Sequence, residues 1–124
     1  MRGVAEPDVS GTISAQVTAD DTATALGSGD VAVLGTPRVV ALAEAATVAA
    51  VAGTLEPGRT TVGTRVELDH LAPSPVGATV VAEATLVERS GRRLTFAVRL
   101  TQDGEVVASG RITRAIVDRT RFPG

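Results

Sequence analysis

The chain has no cysteine, lysine, tryptophan or tyrosine, and one histidine, His70. Each absence excludes something. Without cysteine there is no disulfide, no thiolate nucleophile and no cysteine-ligated metal. A single histidine excludes a multi-histidine metal centre. No metal and no separate cofactor is therefore expected. Only Phe96 and Phe122 supply aromatic bulk, so the core must be filled by close approach of Ala, Val and Leu. The 12 basic residues are all Arg and stand against 14 acidic ones, a net charge of −2. That is not the basic face a nucleic acid requires. No charged start leads into a long apolar core, so no signal peptide is expected. The longest apolar run, residues 39–52, contains Glu44 and is too short to span a bilayer. A cytoplasmic protein without a membrane partner is the default expectation.

What is present fits one domain over residues 1–124, with residues 1–10 a loose start. Residues 11–17 alternate as a half-buried strand, with Ile13, Ala15 and Val17 on one face. Residues 19–30 read as a flexible polar stretch, and residues 31–34 as a short strand. Thr36-Pro37 then opens a helix, Thr36 as N-cap and Pro37 at the first helical position. The run that follows is Ala-rich and apolar all round, and Gly53 ends it. A helix of that kind is expected to be buried on most sides. Four strand-like segments follow. In the first, Val62, Thr64, Val66, Leu68 and His70 share the face towards the helix. In the next two, Val80 to Leu86 and Leu94 to Leu100 alternate inward, and Asp103-Gly104 marks a hairpin. The expected architecture is α+β: an antiparallel sheet of about five strands, the last four a meander, wrapped around one central buried helix. That is the hot-dog fold. One such sheet cannot cover the helix, so a symmetric homodimer is expected, with dimers able to pair further into a tetramer.

Three residues stand out. Glu44 is the sole acid between Pro37 and Thr54, and its helical neighbours Val40, Ala41, Thr47 and Val48 offer no counter-charge. Either it lies on a thin polar stripe with Arg38, or it is a carboxylate tuned by an apolar pocket. His70 is either a satisfied core histidine or a general base at a strand end. Thr36 is either a plain cap or a hydroxyl at a helix N-terminus, where backbone N–H groups suit a carbonyl oxygen. Gly63, with Thr64 beside it, marks a bulge or a place where a ligand approaches the backbone. Arg92 and Arg93 follow a turn, either solvated or meeting phosphates.

Residues 35–46 (GTPRVVALAEAA), 61–77 (TVGTRVELDHLAPSPVG) and 91–98 (GRRLTFAV) together resemble the fluoroacetyl-CoA thioesterase family of hot-dog proteins. The likeness runs over roughly residues 30–122. The spacing carries it: Thr36 to Glu44 is 8 positions and Glu44 to His70 is 26. The resemblance implies an acyl-CoA thioesterase with Thr36, Glu44 and His70 as its catalytic residues. It implies that Gly63 faces the thioester and that coenzyme A enters as part of the substrate; Thr64, Arg92 and Arg93 are further candidates for substrate binding. The fluoroacetyl-specific member carries aromatic residues ahead of the catalytic Thr. Residues 25–33 carry none here, which points to a different or more general acyl group. Two rival expectations remain: a non-catalytic binder of acyl-CoA or an acyl carrier, and a hot-dog dehydratase or hydratase. Alternation disfavours the last by putting Asp69 and His70 on opposite faces. If residues 36–44 form one helix, Thr36 and Glu44 stand about 12 Å apart. Either Thr36 then precedes the helix, or the two act from different protomers.

Overall fold

Sixteen residues, Thr36–Val51, form the main helix, α2. A computed structural model describes residues 4–122. Pro37 is tolerated in the first turn, where its missing N–H has no intrahelical role. The cap position falls one residue earlier than expected. Gly35 takes it in an extended conformation, and its carbonyl accepts from the Arg38 and Val39 N–H groups at 3.0 and 3.1 Å. Thr36 is thus the first helical residue, and its hydroxyl is not spent on a cap. At the other end Gly53, at φ 77°, follows the Ala52 cap in the left-handed conformation expected of it.

The helix lies on one face of a five-stranded antiparallel sheet. The strands are β1 (Val4–Gln16), β2 (Arg59–His70), β3 (Thr79–Ser90), β4 (Arg93–Gln102) and β5 (Glu105–Asp118). Their spatial order is β1-β3-β4-β5-β2. This corrects the expected meander. Only β3, β4 and β5 follow one another; β2 crosses to the far edge and pairs with β5. The connection between β2 and β3 contains Pro73 and Pro75 and runs across the end of the sheet. Leu71 and Ala72 both donate to the Val107 carbonyl, and Gly77 donates to that of Val17. Alternation fixes which face a residue takes and is blind to which strand lies beside it.

Two further expectations change. β1 begins at Val4, so residues 4–10 are ordered against β3; the first three residues lie outside the described ones. Residues 19–30 hold a 3₁₀ turn (Ala19–Asp21) and a short helix, α1 (Ala23–Leu26), capped by the Thr22 hydroxyl accepting from the Ala25 N–H at 3.1 Å. The Thr18 backbone N–H, foremost, holds the Asp21 carboxyl below its ordinary value, with Arg38 of α2 bonded to it at 3.0 Å. Residues 31–34 make only isolated bridges, Thr22 to Leu34 and Val33 to Pro75.

The core is what the composition allows. Val80, Ala82, Ala84 and Leu86 of β3 and Leu94, Phe96, Val98 and Leu100 of β4 are all buried, as the alternation indicates. Small residues let the helix approach closely: a Cβ at Gly11 of β1 would run into the backbone of Ala46, Ala49 and Ala50. The helix is nevertheless buried on one side only. Val39, Leu42, Ala43, Ala46, Thr47, Ala50 and Val51 meet the sheet. The opposite face carries Ala41 and Val48, and Val48 is 49% exposed. The all-round apolarity read from the sequence therefore leaves an uncovered apolar face in the single chain. No described helix is long and apolar enough to cross a membrane.

Candidate active site

The start of α2 and the end of β2 meet at one point. There Thr36 Oγ1 and His70 Nδ1 stand 2.8 Å apart, a hydroxyl and an imidazole in direct hydrogen bond. His70 Nε2 is buried and has no partner among the described residues. An apolar cavity of about 280 Å³ opens beside the pair, lined by Ala23, Val33, Leu34, Leu71 and Ala72. The helix N-terminus offers less than expected. Pro37 has no N–H, and those of Arg38 and Val39 are taken by Gly35. The Thr36 N–H remains at that end without an intrahelical partner.

Glu44 is elsewhere. Its counter-charge comes from β5: Arg114 Nη1 donates to Glu44 Oε2 at 3.5 Å. Arg114 also donates from Nε to the Thr61 hydroxyl at 2.8 Å and from Nη2 to the Thr61 carbonyl at 3.2 Å. The side chains differ in exposure, 8% for Arg114 against 37% for Glu44. Burial pushes the Arg114 guanidinium below its ordinary pKa, and the Glu44 carboxylate opposes that shift. The polar stripe with Arg38 is not formed, since Arg38 turns to Asp21. Thr36 and Glu44 lie on one unbroken helix, about 12 Å apart along it. One chain therefore presents a Thr36–His70 pair and a separate Glu44–Arg114 pair.

Arg114 was absent from the sequence candidates, although a signal existed. It shares the inward phase of β5 with Ile112 and Ile116, and an Arg in that phase must find a partner. A bulge also corrects the face assignment of β2. Gly63 pairs with Arg114 and Arg65 with Thr113, leaving Thr64 as the extra residue. Val66, Leu68 and His70 face the helix as expected. Before the bulge the frame shifts, so Thr61 and Gly63 face inward in place of Val62 and Thr64. Gly63 lies under Glu44: a Cβ there would sit 2.5 Å from Oε2. The Thr64 hydroxyl donates to the Thr113 carbonyl at 3.2 Å, so its bonding belongs to the sheet. Arg92 and Arg93 stand at the far end of the sheet. On β5, Arg93 is opposite Ala115 and His70 opposite Ala108, which separates them by roughly 23 Å. No group of three or more His, Asp or Glu suited to a metal occurs among the described residues.

A family model described as fluoroacetyl-CoA-specific thioesterase matches residues 17–120. The chain belongs to this family. A fluoroacetyl-CoA thioesterase of Streptantibioticus cattleyicolor is 37% identical over 90 residues, a stretch covering 73% of this chain and 65% of that relative. The chain thus matches a little under two thirds of that relative's length. A crystal structure of a point variant of the fluoroacetyl-CoA-specific thioesterase FlK, in complex with fluoroacetate and CoA, superposes with a TM-score of 0.85. The two are 32% identical, and the match covers 99% of this chain and 100% of that one. A hot-dog-like protein from Thermanaerovibrio acidaminovorans, 22% identical, superposes at 0.81 over 98% of this chain and 93% of its own, and shares the fold. The five-stranded antiparallel sheet around one main helix is the hot-dog fold.

Proposed function

We propose that this chain hydrolyses short acyl-CoA thioesters with Thr36 as nucleophile and His70 as its base. The observation that carries this is the 2.8 Å contact between Thr36 Oγ1 and His70 Nδ1 at the mouth of an apolar cavity. Nδ1 takes the hydroxyl proton as Oγ1 attacks the thioester carbonyl. The carbon–sulfur bond breaks, the proton passes to the departing thiolate, and the acyl group stays on Thr36 as an ester. Water then cleaves that ester and releases the acid. In this reading the Thr36 N–H, in the first turn of α2, donates to the carbonyl oxygen as it gains charge. Membership of a thioesterase family and the CoA bound to a relative support this reading.

The deacylating water needs a second base, which in this reading is Glu44 of a second copy, positioned by its contact with Arg114. Two features support a homodimer. The outer edge of β2 is open over residues 63–67, and unpaired strand edges seek a partner. The uncovered apolar face of α2 lies beside it. Pairing β2 with its symmetry mate would cover both and bring Glu44 of one protomer towards Thr36 of the other. We place the activity in the cytoplasm, where CoA esters are made and consumed.

A panel of acyl-CoAs with free-thiol detection tests the reading. The cavity has no aromatic wall, so short aliphatic acyl groups are expected to turn over faster than fluoroacetyl. Binding of these esters without thiol release overturns the hydrolase reading. Gly63→Ala probes the carboxylate. The new methyl displaces Glu44 while the backbone stays in an ordinary conformation, so melting shifts by less than about 1 kcal/mol equivalent. Turnover falls at least about ten-fold, because a misplaced group loses its reacting geometry. Unchanged turnover would remove Glu44 from the chemistry.

A further inference from the structure

Five buried side-chain atoms have no hydrogen-bond partner among the described residues. Two of them, Glu6 Oε2 and Arg89 Nε, stand 2.8 Å apart as an ion pair. The other three are His70 Nε2, Ser74 Oγ and Gln102 Oε1, and they gather on one piece of the fold. His70 ends β2, and Ser74 follows four residues later in the connection to β3, wholly buried. The Ser74 carbonyl accepts from the Leu34 N–H at 2.9 Å, which holds the connection against the chain leading into Thr36. Gln102 ends β4 and lines a cavity of about 230 Å³ with Ala72, Pro73 and Val107. Ala72 and Pro73 also line the cavity beside Thr36 and His70, so the connection is the wall between the two. Buried polar groups are almost always paired, and internal water, at about one molecule per 27 residues, serves those the chain leaves over.

We infer that Ser74 and Gln102 are positioning residues for His70, joined to it by internal water that accepts from Nε2–H and donates to Ser74 Oγ and Gln102 Oε1. The arrangement sets the tautomer. In a neutral imidazole one nitrogen carries the proton and the other accepts. Nδ1 accepts from Thr36 only if Nε2 holds the proton, and a buried N–H without an acceptor is costly. With an acceptor behind the ring, Nε2–H becomes the favoured form and Nδ1 is left bare towards the hydroxyl. The same acceptor matters more once Nδ1 has taken the Thr36 proton, because the ring is then a cation and hydrogen bonds from a charged donor are stronger. The adjacent carboxylate does not serve this end of the ring: Asp69 is exposed on the opposite face of β2. The inference rests on the reading of His70 as the base for Thr36.

His70 is the sole histidine, so ¹⁵N-histidine labelling of a protein with a histidine-free tag reads this ring alone. At a pH where the ring is neutral, the wild type is expected to show Nε2–H as its main form. In Ser74→Ala the Nδ1–H form should grow roughly ten-fold relative to it, and the Nε2 proton should exchange with solvent faster. Gln102→Leu, at a half-buried site, is the second arm and should move the same signals. Against acyl-CoA, each variant should lose roughly ten-fold in kcat with KM retained, since neither side chain touches substrate, and the double variant should lose less than the product of the two. Ring signals unmoved in both variants overturn the inference while leaving the Thr36–His70 chemistry in place. So does a Ser74→Ala protein that melts higher and keeps its kcat, the behaviour of a hydroxyl that bonds to nothing. A wild type in the Nδ1–H form overturns the inference together with the base role of His70. Signals that move as expected in a protein that cleaves no ester support the inference and remove the hydrolase reading alone.

Discussion

Thr36→Ala and His70→Ala each lower kcat/KM for the best acyl-CoA by roughly two to four orders of magnitude, and the double variant is no worse than either alone. The argument starts from the 2.8 Å contact. A threonine hydroxyl is a poor nucleophile until its proton has somewhere to go, and a lone imidazole is a poor catalyst until it has a proton to take. Removing either group disables the other, so the losses do not multiply. Thr36→Ser keeps the hydroxyl and should retain much of the rate. The fold is not at stake. Thr36 is exposed, the cap is Gly35, and the cavity beside the pair is already open. Thiol release measures the rates, and thermal melting confirms that the variants fold. Losses that multiply in the double variant would mean that the two residues act separately, and wild-type rates in both would remove the pair from the mechanism.

The sequence made some of this legible and hid the rest for physical reasons. Alternation in β3 and β4 reports faces directly, because each inward side chain meets the helix. The Asp103-Gly104 hairpin is legible because both residues need positive φ, and they have 52° and 81°. The position of β2 was hidden, since pairing across the sheet depends on how a Pro-rich connection runs. Gly63 itself signals the bulge, but the bulge's effect on the faces is hidden, because one extra residue inverts the face of everything before it and leaves the pattern's appearance intact. The apolarity of the helix is real on every side, but one chain covers only half of it. Thr36 and His70 each had an ordinary reading, and only their meeting in space joins them. Glu44 was seen as a charge without a partner; the partner is 70 residues away on β5, beyond any local spacing rule.

Thr36→Ala and Glu44→Ala proteins, each nearly inactive alone, regain activity when combined in one dimer. The geometry leads here. Thr36 and Glu44 are about 12 Å apart on one helix, too far to act on one carbonyl within a chain. Arg114 is buried while Glu44 opens outward, 8% against 37% exposed, so the carboxylate is anchored from behind and aimed at whatever covers α2. A second copy covering that face receives Glu44 from its neighbour and gives its own in return. In a hybrid dimer one site then inherits both defects and the other inherits neither. With random pairing half of the dimers are hybrids, and half of their sites are intact, so activity recovers to roughly a quarter of wild type. Co-expression with two affinity tags isolates the hybrid, and light scattering should give twice the 12.5 kDa chain mass. If the isolated hybrid is no more active than its parents, Glu44 does not work across a dimer. An active species at the monomer mass would overturn the shared site as well. Recovery would in turn explain the apolar outer face of α2: it is kept so that another chain can rest there and complete the chemistry.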